Sequence, residues 1–369
     1  MRVSSDLSAL NKFSHHSSWL ELIRKGMGIE RPVPEDIGEM DWDGLFAFLK
    51  QQTLVGIGWK GVERFANAMP RNTRVQWYML TEYVRKRNEW LNWKVTQLTN
   101  VFKEGGFDMV VLKGQGNATF YPEPLLRMPG DIDLLVRGKK EDVVSFIKEH
   151  WQVTGVHFQH VEFRVEKVTV EVHLIPCSMN NPLYLKRMLR WLETEAKWDN
   201  LVEMQGNAGM VAVPTDRYNI VFLLAHIMHH FFDEGISLRQ LMDYYYLLLH
   251  YQKMEGGMKR LEWEATLKYL NLYHFAGAVM YVLKVVFQMS DSLLLVPIDE
   301  QRGKTLFNEI LKGGNFGRYS GLTNHSMAVK YLLKTCRNMK FVRQYPAEAL
   351  CEPLFRTWHF LWRHGASLK

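Results

Sequence analysis

The sequence predicts an α+β protein: a small mixed β-sheet core with flanking helices, embedded in predominantly helical N- and C-terminal regions. Three observations carry this. Residues 15–95 place apolar side chains at helical spacing, in Trp19, Leu20, Leu22 and Ile23 and again in Leu45, Phe46, Phe48 and Leu49. Residues 106–175 change to short apolar or alternating runs separated by turn residues. From Thr215 the helical period returns. The division this suggests is a helical region over 1–95, an α/β core over 96–205 and a second helical region over 206–369.

In the first region Pro32-Val33-Pro34 ends a helix, since proline lacks the N–H the next turn needs, and Asp41 or Asp43 caps the helix that follows. A long helix runs from about Thr73 to Glu104, and Gly105-Gly106 ends it. The core then reads as strands over 108–113 and 131–137, each followed by a helix, near 115–121 and over Glu141–His150. Strands at Gln159–Val165 and Val168–Leu174 flank Glu166-Lys167 as a hairpin. Pro214-Thr215-Asp216 starts the last region, with Asp216 as the candidate N-cap. Lys312-Gly313-Gly314-Asn315-Phe316-Gly317 reads as a turn between helices.

Chemistry concentrates in the core. In Gly130-Asp131-Ile132-Asp133-Leu134-Leu135-Val136 the strand period sends both aspartates to one face and Ile132, Leu134 and Val136 to the other. Two bare carboxylates so placed repel each other and call for a compensating cation, Mg²⁺ being the usual one. Alone, the pair would equally suit a solvated strand edge. Its neighbours favour the cation. Met109-Val110-Val111-Leu112-Lys113-Gly114-Gln115-Gly116-Asn117 is a buried-type strand running into a glycine turn, where the backbone can approach a phosphate and Lys113 can add a charge. The spacing is not that of a Walker A loop. In Val168-Thr169-Val170-Glu171-Val172-His173-Leu174, Glu171 and His173 share the polar face. Three acids on neighbouring strands beside a glycine turn suit phosphoryl transfer with two metal ions.

The order Leu112-Lys113-Gly114, Arg127, Asp131-Ile132-Asp133-Leu134-Leu135-Val136 and Val170-Glu171-Val172-His173 resembles the uncharacterised nucleotidyltransferases of the DNA polymerase beta-like superfamily. The likeness extends to Leu224-Ala225-His226 and Leu238-Arg239-Gln240-Leu241-Met242-Asp243. It implies transfer of a nucleoside monophosphate from an NTP to an acceptor, with pyrophosphate leaving. Asp131, Asp133 and Glu171 would be the catalytic and metal-holding acids for two Mg²⁺, or Mn²⁺ in their place. Lys113, Gly114, Gln115, Arg127 and His173 would bind the nucleotide. Gly114-Gln115 stands where the family often has Gly-Ser or Gly-Gly, and Tyr121-Pro122-Glu123-Pro124 widens the spacing to Asp131. A nucleotide-binding or partner-binding protein on a catalytically degenerate scaffold is the alternative.

Other features have plainer readings. Arg127 serves either a triphosphate or an ion pair with Glu123; Arg164 reads as surface. His226, His229 and His230 share a helical face but lack the glutamate of a His-Glu-x-x-His motif, so hydrogen bonds to neighbours such as Asp243 are expected. A helical metal hydrolase built on them is a third reading, and a helix facing the cleft a weaker fourth. Tyr244, Tyr245 and Tyr246 read as core. Lys330, Lys334, Arg337, Lys340 and Arg343 form a cationic helical stripe, expected to be solvated. The net charge of +7 permits a nucleic-acid partner without any motif requiring one, and small molecule, protein and RNA all remain open as acceptor. No apolar run is long enough to span a bilayer, Met1-Arg2-Val3-Ser4-Ser5-Asp6 starts no apolar leader, and Cys177, Cys336 and Cys351 are odd in number and far apart. The expectation is a cytoplasmic protein with reduced thiols and no membrane partner.

Overall fold

The computed structural model describes residues 17–32, 34–315 and 327–366; the chain start at Met1–Asp6, Val33 and Phe316-Gly317 lie outside the described residues. The N-terminal helices are α1 (Ser17–Gly26), α2 (Trp42–Gln51), α3 (Val55–Val62) and α4 (Arg71–Glu104). Asp41 is the cap of α2, its Oδ1 accepting from the Gly44 N–H at 2.8 Å, while Asp43 takes the Thr73 hydroxyl instead. Helices α1 and α3 cross at glycine: a Cβ on Gly26 would lie 2.0 Å from the Ile57 carbonyl oxygen, and one on Gly61 2.0 Å from that of Leu22. Only a residue without a side chain permits that approach.

At 34 residues α4 is about 51 Å long and serves two cores. Near its start Trp77 stacks on Phe46; further on, Leu91, Val95, Leu98 and Phe102 lie beneath the sheet. The expected boundary at residue 95 therefore falls inside one continuous helix.

The core sheet has five strands, β1 (Asp108–Leu112), β2 (Ile132–Arg137), β3 (Val153–Val156), β4 (His160–Val165) and β5 (Val168–His173), in the order β1-β2-β5-β4-β3. Only β2 and β5 run parallel, so the sheet is mixed as expected. Helices α5 (Gly114–Ala118) and α6 (Lys140–His150) follow β1 and β2. Alternation decides the two faces. Met109, Val111, Ile132, Leu134, Val136, Val161, Phe163, Val170 and Val172 fill a core with α4, Val143 and Ile147. Val110, Leu112 and Leu135 join the larger core of the C-terminal helices.

Strand β3 and the hairpin of β6 (Leu201–Met204) and β7 (Gly209–Ala212), which follow α7 (Pro182–Glu195), were not expected. The C-terminal helices are α8 (Asp216–Asp233), α9 (Leu238–Glu255), α10 (Arg260–Tyr269), α11 (Tyr273–Phe287), α12 (Glu300–Gly313), α13 (Met327–Met339) and α14 (Pro346–Ala366). Thr215, not Asp216, caps α8: its hydroxyl oxygen accepts from the Tyr218 N–H, leaving Asp216 in the first turn. Tyr244, Tyr245 and Tyr246 are buried as expected. The cationic stripe is not simply solvated: Lys334 pairs with Asp233, and Arg337 binds Glu309 at 3.0 Å and the Phe231 carbonyl at 2.6 Å, tying α13 to α8 and α12. The three cysteines are free, and among the described residues no helix is long and apolar enough to cross a membrane.

Candidate active site

The site lies at the N-terminal end of β2, which carries Asp133, and at the C-terminal end of β5, which carries Glu171 and His173. Parallel pairing sets Asp133 opposite Glu171, and the antiparallel β4–β5 pair continues the row by setting Glu171 opposite Glu162. His173 stands opposite His160 in the same way. Register alone therefore gathers a polar lattice from residues that are far apart in sequence. Asp131, one residue ahead of β2, stands at its edge.

These groups open onto a cleft of about 420 Å³ between the sheet and helices α8 and α9. From the sheet side it is lined by Lys113, Gly114, Asp131, Asp133, Glu171 and His173, and from the helices by His226, His229, His230, Arg239 and Asp243. Glu171 and the two aspartates, expected as the acidic set, thus share one cleft. One oxygen each from Asp133 and Glu171 and one nitrogen of His173 lie within 4.8 Å of one another, spaced to hold a cation.

Asp133 is 4% exposed and its Oδ1 receives two partners, Lys113 Nζ at 2.7 Å and His173 Nε2 at 2.9 Å. Burial raises its pKa, but the Lys113 ammonium and the His173 hydrogen bond outweigh burial and hold the carboxyl below the usual range. The same exchange raises the Lys113 pKa: burial opposes its charge, and Asp133, then Asp131, restore it. Asp131 keeps exposed surface at the cleft mouth, yet loss of water around it and repulsion from Asp133 raise its carboxyl. Glu171 is pushed up to about 8, by desolvation first and then by the charges of Asp133 and Asp131. Three carboxyl groups crowd this part of the cleft, and Lys113 pairs directly with Asp133 among them. Carboxylate oxygens in mutual repulsion beside one imidazole are a donor set of the kind that takes a divalent cation.

Lys113 takes φ +47° and ψ −139°, a backbone conformation that L-residues rarely adopt, and Gly114 follows at φ +30°. Holding a lysine there costs about 1–3 kcal/mol and turns the chain sharply off β1 so that the ammonium meets Asp133.

Two of the expected nucleotide ligands are engaged by other residues of the chain. Gln115 is 3% exposed and turned into α4, its amide donating to Asn92 Oδ1 at 2.8 Å and Asn88 Oδ1 at 3.3 Å, so it does not line the cleft. Arg127 reaches the cleft wall but does not pair with Glu123, which meets Lys60 at 3.5 Å. Its guanidinium grips Asp243 with Nε on Oδ1 at 2.7 Å and Nη2 on Oδ2 at 2.8 Å, and the Tyr121 hydroxyl donates to the same Oδ1. Burial would lower the Arg127 pKa; Asp243 more than reverses this.

Asp243 is thereby taken, and the histidines of α8 have other neighbours: His229 Nδ1 lies 3.0 Å from Ser178 Oγ and His230 Nδ1 3.7 Å from Glu234. Desolvation lowers His226 well below its usual range and His229 to about 3, so both are neutral at pH 7. Among the described residues they do not form a converging ligand group, but they do face the cleft, the weaker of the sequence readings.

Arg239 is the residue sequence reasoning left out of the site. It lies one helical turn from Asp243 on α9, and its Nη1 donates to the Met128 carbonyl at 3.0 Å. Its buried Nε has no hydrogen-bond partner among the described residues, and burial followed by repulsion from Arg127 lowers its pKa. The i, i+4 spacing of Arg239 and Asp243 was the available signal; which arginine would claim the aspartate was not readable.

No curated protein matches the chain. Among solved structures, an antigenic nucleotidyltransferase-like protein from Paracoccidioides brasiliensis is similar at 11% identity over 58% of this chain and 95% of its own, with a TM-score of 0.36, too distant to add to the argument. The model of a family described as uncharacterised nucleotidyltransferase matches residues 38–291, a span that runs from α2 through the sheet, the cleft and α11. By that match the chain belongs to the uncharacterised nucleotidyltransferase family.

Proposed function

We propose that the protein transfers a nucleoside monophosphate from an NTP to an acceptor hydroxyl or amine, releasing pyrophosphate. The observation that carries this reading is the in-register pairing of Asp133 with Glu171 beside Asp131, at a cleft that also holds Lys113 and Arg239. Family membership supports nucleotidyl transfer in general; the metal, the NTP and the pyrophosphate are the finer reading.

Asp131, Asp133 and Glu171 would hold Mg²⁺, which when bound offsets negative charge on the attacking and departing oxygens. Lys113 and Arg239 flank the acids and supply fixed positive charge for the phosphate chain; in a water-poor cleft such preset charge is worth more than in bulk water. Gly114 lets the backbone come close to the same phosphates. His173 orients Asp133 through its Nε2 contact at 2.9 Å and touches the edge of Glu171 at 3.6 Å. A bound cation favours the carboxylate form of Glu171, which is then placed to ligate it or to take the proton of the acceptor group.

The test is pyrophosphate release from each NTP in cell extract, with and without Mg²⁺, by the wild type and by the Asp131→Asn/Asp133→Asn double variant. Metal-dependent release lost in the double variant is the expected result. Equal release by both removes these carboxylates from the reaction. One observation favours the second reading, a non-catalytic nucleotide-binding protein: Asp133 is already satisfied by Lys113 and His173. That reading predicts nucleotide binding unchanged in the double variant and no pyrophosphate from either.

A further inference from the structure

We infer that the β3–β4 hairpin carries a transition-metal site of its own, formed by His157, His160 and Glu162, for a zinc-type dication. Strand alternation puts His160 and Glu162, two residues apart on β4, on one face. The hairpin then folds His157 over them, closed by a hydrogen bond from the His157 N–H to the His160 carbonyl at 2.8 Å. Both imidazoles present Nε2 to a single carboxylate oxygen, Glu162 Oε1, at 3.0 Å from His157 and 3.1 Å from His160. All three ligand atoms lie within 4.8 Å of one another. Ligands about 2.0–2.1 Å from a tetrahedral zinc ion stand about 3.3 Å apart, so little movement separates this arrangement from a coordination shell.

An independent feature keeps the place open. Gly155 pairs with Glu162 across the hairpin, and a Cβ there would sit 2.8 Å from His157 Nε2 and 3.2 Å from Glu162 Oε2. Any other residue would crowd the imidazole out of position. The three side chains are half-buried and line the cleft, which leaves a fourth position open to water or to a substrate group.

The donor set decides which metal. Two imidazole nitrogens and one carboxylate suit zinc, cobalt or a similar borderline ion, whereas Mg²⁺ prefers an all-oxygen shell. The site shares no ligand with Asp131, Asp133 or Glu171; His160 comes only within 4.0 Å of Glu171. It therefore stands or falls apart from the proposed transferase reaction.

The full chain, stripped of metal and titrated with Co²⁺ and separately with Zn²⁺, is expected to bind one equivalent that excess Mg²⁺ does not displace, Co²⁺ giving the visible absorption of a tetrahedral nitrogen–oxygen site. His157→Ala/His160→Ala is expected to lose that equivalent with its circular dichroism unchanged, and Glu162→Gln to weaken it at least tenfold while retaining both imidazoles. Asp131→Asn/Asp133→Asn is expected to keep it. Absence of a Mg²⁺-resistant equivalent in the wild type, its persistence in folded His157→Ala/His160→Ala, undiminished affinity in Glu162→Gln, or its loss in Asp131→Asn/Asp133→Asn overturns the inference.

Discussion

Arg127 and Asp243 are joined by two parallel hydrogen bonds of 2.7 and 2.8 Å, and this buried pair fastens the segment before the acidic strand to helix α9 of the C-terminal region. The cleft lies between the two parts so fastened, with Asp131 and Asp133 on one wall and Arg239 on the other. The pair thus sets the distance across the site without itself being spare for a ligand.

Removing one member leaves the other charge buried and uncompensated, which costs about 3–5 kcal/mol. Asp243→Ala is therefore expected to lose that much stability in urea unfolding, with Arg127→Met/Asp243→Leu losing clearly less. A loss under about 1 kcal/mol for Asp243→Ala, on the scale of an exposed pair, would contradict the structural role.

Arg239 behaves differently because its guanidinium donates to a backbone carbonyl, that of Met128, and pairs with no carboxylate among the described residues. Arg239→Ala is expected to weaken NTP binding about 10–100-fold, the loss of one charge-assisted contact, and to leave the melting temperature unchanged or slightly higher as repulsion with Arg127 goes. Calorimetric titration with NTP, alongside a thermal melt, checks both parts. Unaltered affinity would take Arg239 out of the phosphate site.

For Gln115 the expectation is reversed. Gln115→Ala breaks its bonds to Asn88 and Asn92 in the interior and is expected to destabilise by about 1–3 kcal/mol, with NTP affinity in the folded protein unchanged. A selective loss of affinity at full stability would restore it as a nucleotide ligand.

Glu348 gives a pH prediction away from the cleft. It is 2% exposed, its Oε2 accepts from the Asn180 N–H at 2.7 Å, and Oε1 has no partner among the described residues. Burial pushes its carboxyl up to about 7 from an ordinary 4.5, despite the hydrogen bond. The folded chain then keeps a proton that the unfolded chain has released, so this group's contribution falls as pH rises from about 4.5 to about 7 and stays low above that. Glu348→Gln is expected to be more stable than wild type at pH 8 by up to about 3 kcal/mol, the advantage vanishing near pH 4.5. Denaturant unfolding at several pH values would falsify this if the variant were no more stable at pH 8.

Where period and punctuation decide structure, the sequence was legible. The alternation in Val168–His173 and the apolar run Met109–Leu112 located β5 and β1, and Gly105-Gly106 stopped α4 as expected. Period two also accounts for the shared face of Glu171 and His173 on β5 and, through the parallel register, for Asp133 beside them; Asp131 stands just ahead of β2, where strand period does not set its direction. What local pattern could not supply was the competition among partners. Asp243 attracts both Arg127 and Arg239, but only Arg127 hydrogen-bonds to it while Arg239 turns to the Met128 carbonyl, a choice made by tertiary packing. Gln115 sits one residue from a glycine turn that faces the cleft, yet the first turn of α5 rotates it towards α4. The Val153–Val156 strand was missed because it is only four residues long and Gly155 interrupts it; pairing with β4 holds it.

The central claim is that Asp131, Asp133 and Glu171 together hold divalent cation beside an NTP. Its most direct measurement is a Mn²⁺ titration followed by electron paramagnetic resonance, with a non-hydrolysable NTP present, on a His157→Ala/His160→Ala background so that only the acidic site is counted. Up to two ions per chain are predicted, falling to none of comparable affinity after Asp131→Asn/Asp133→Asn and weakened at least tenfold by Glu171→Gln. The same stoichiometry and affinity in all three proteins would contradict the account.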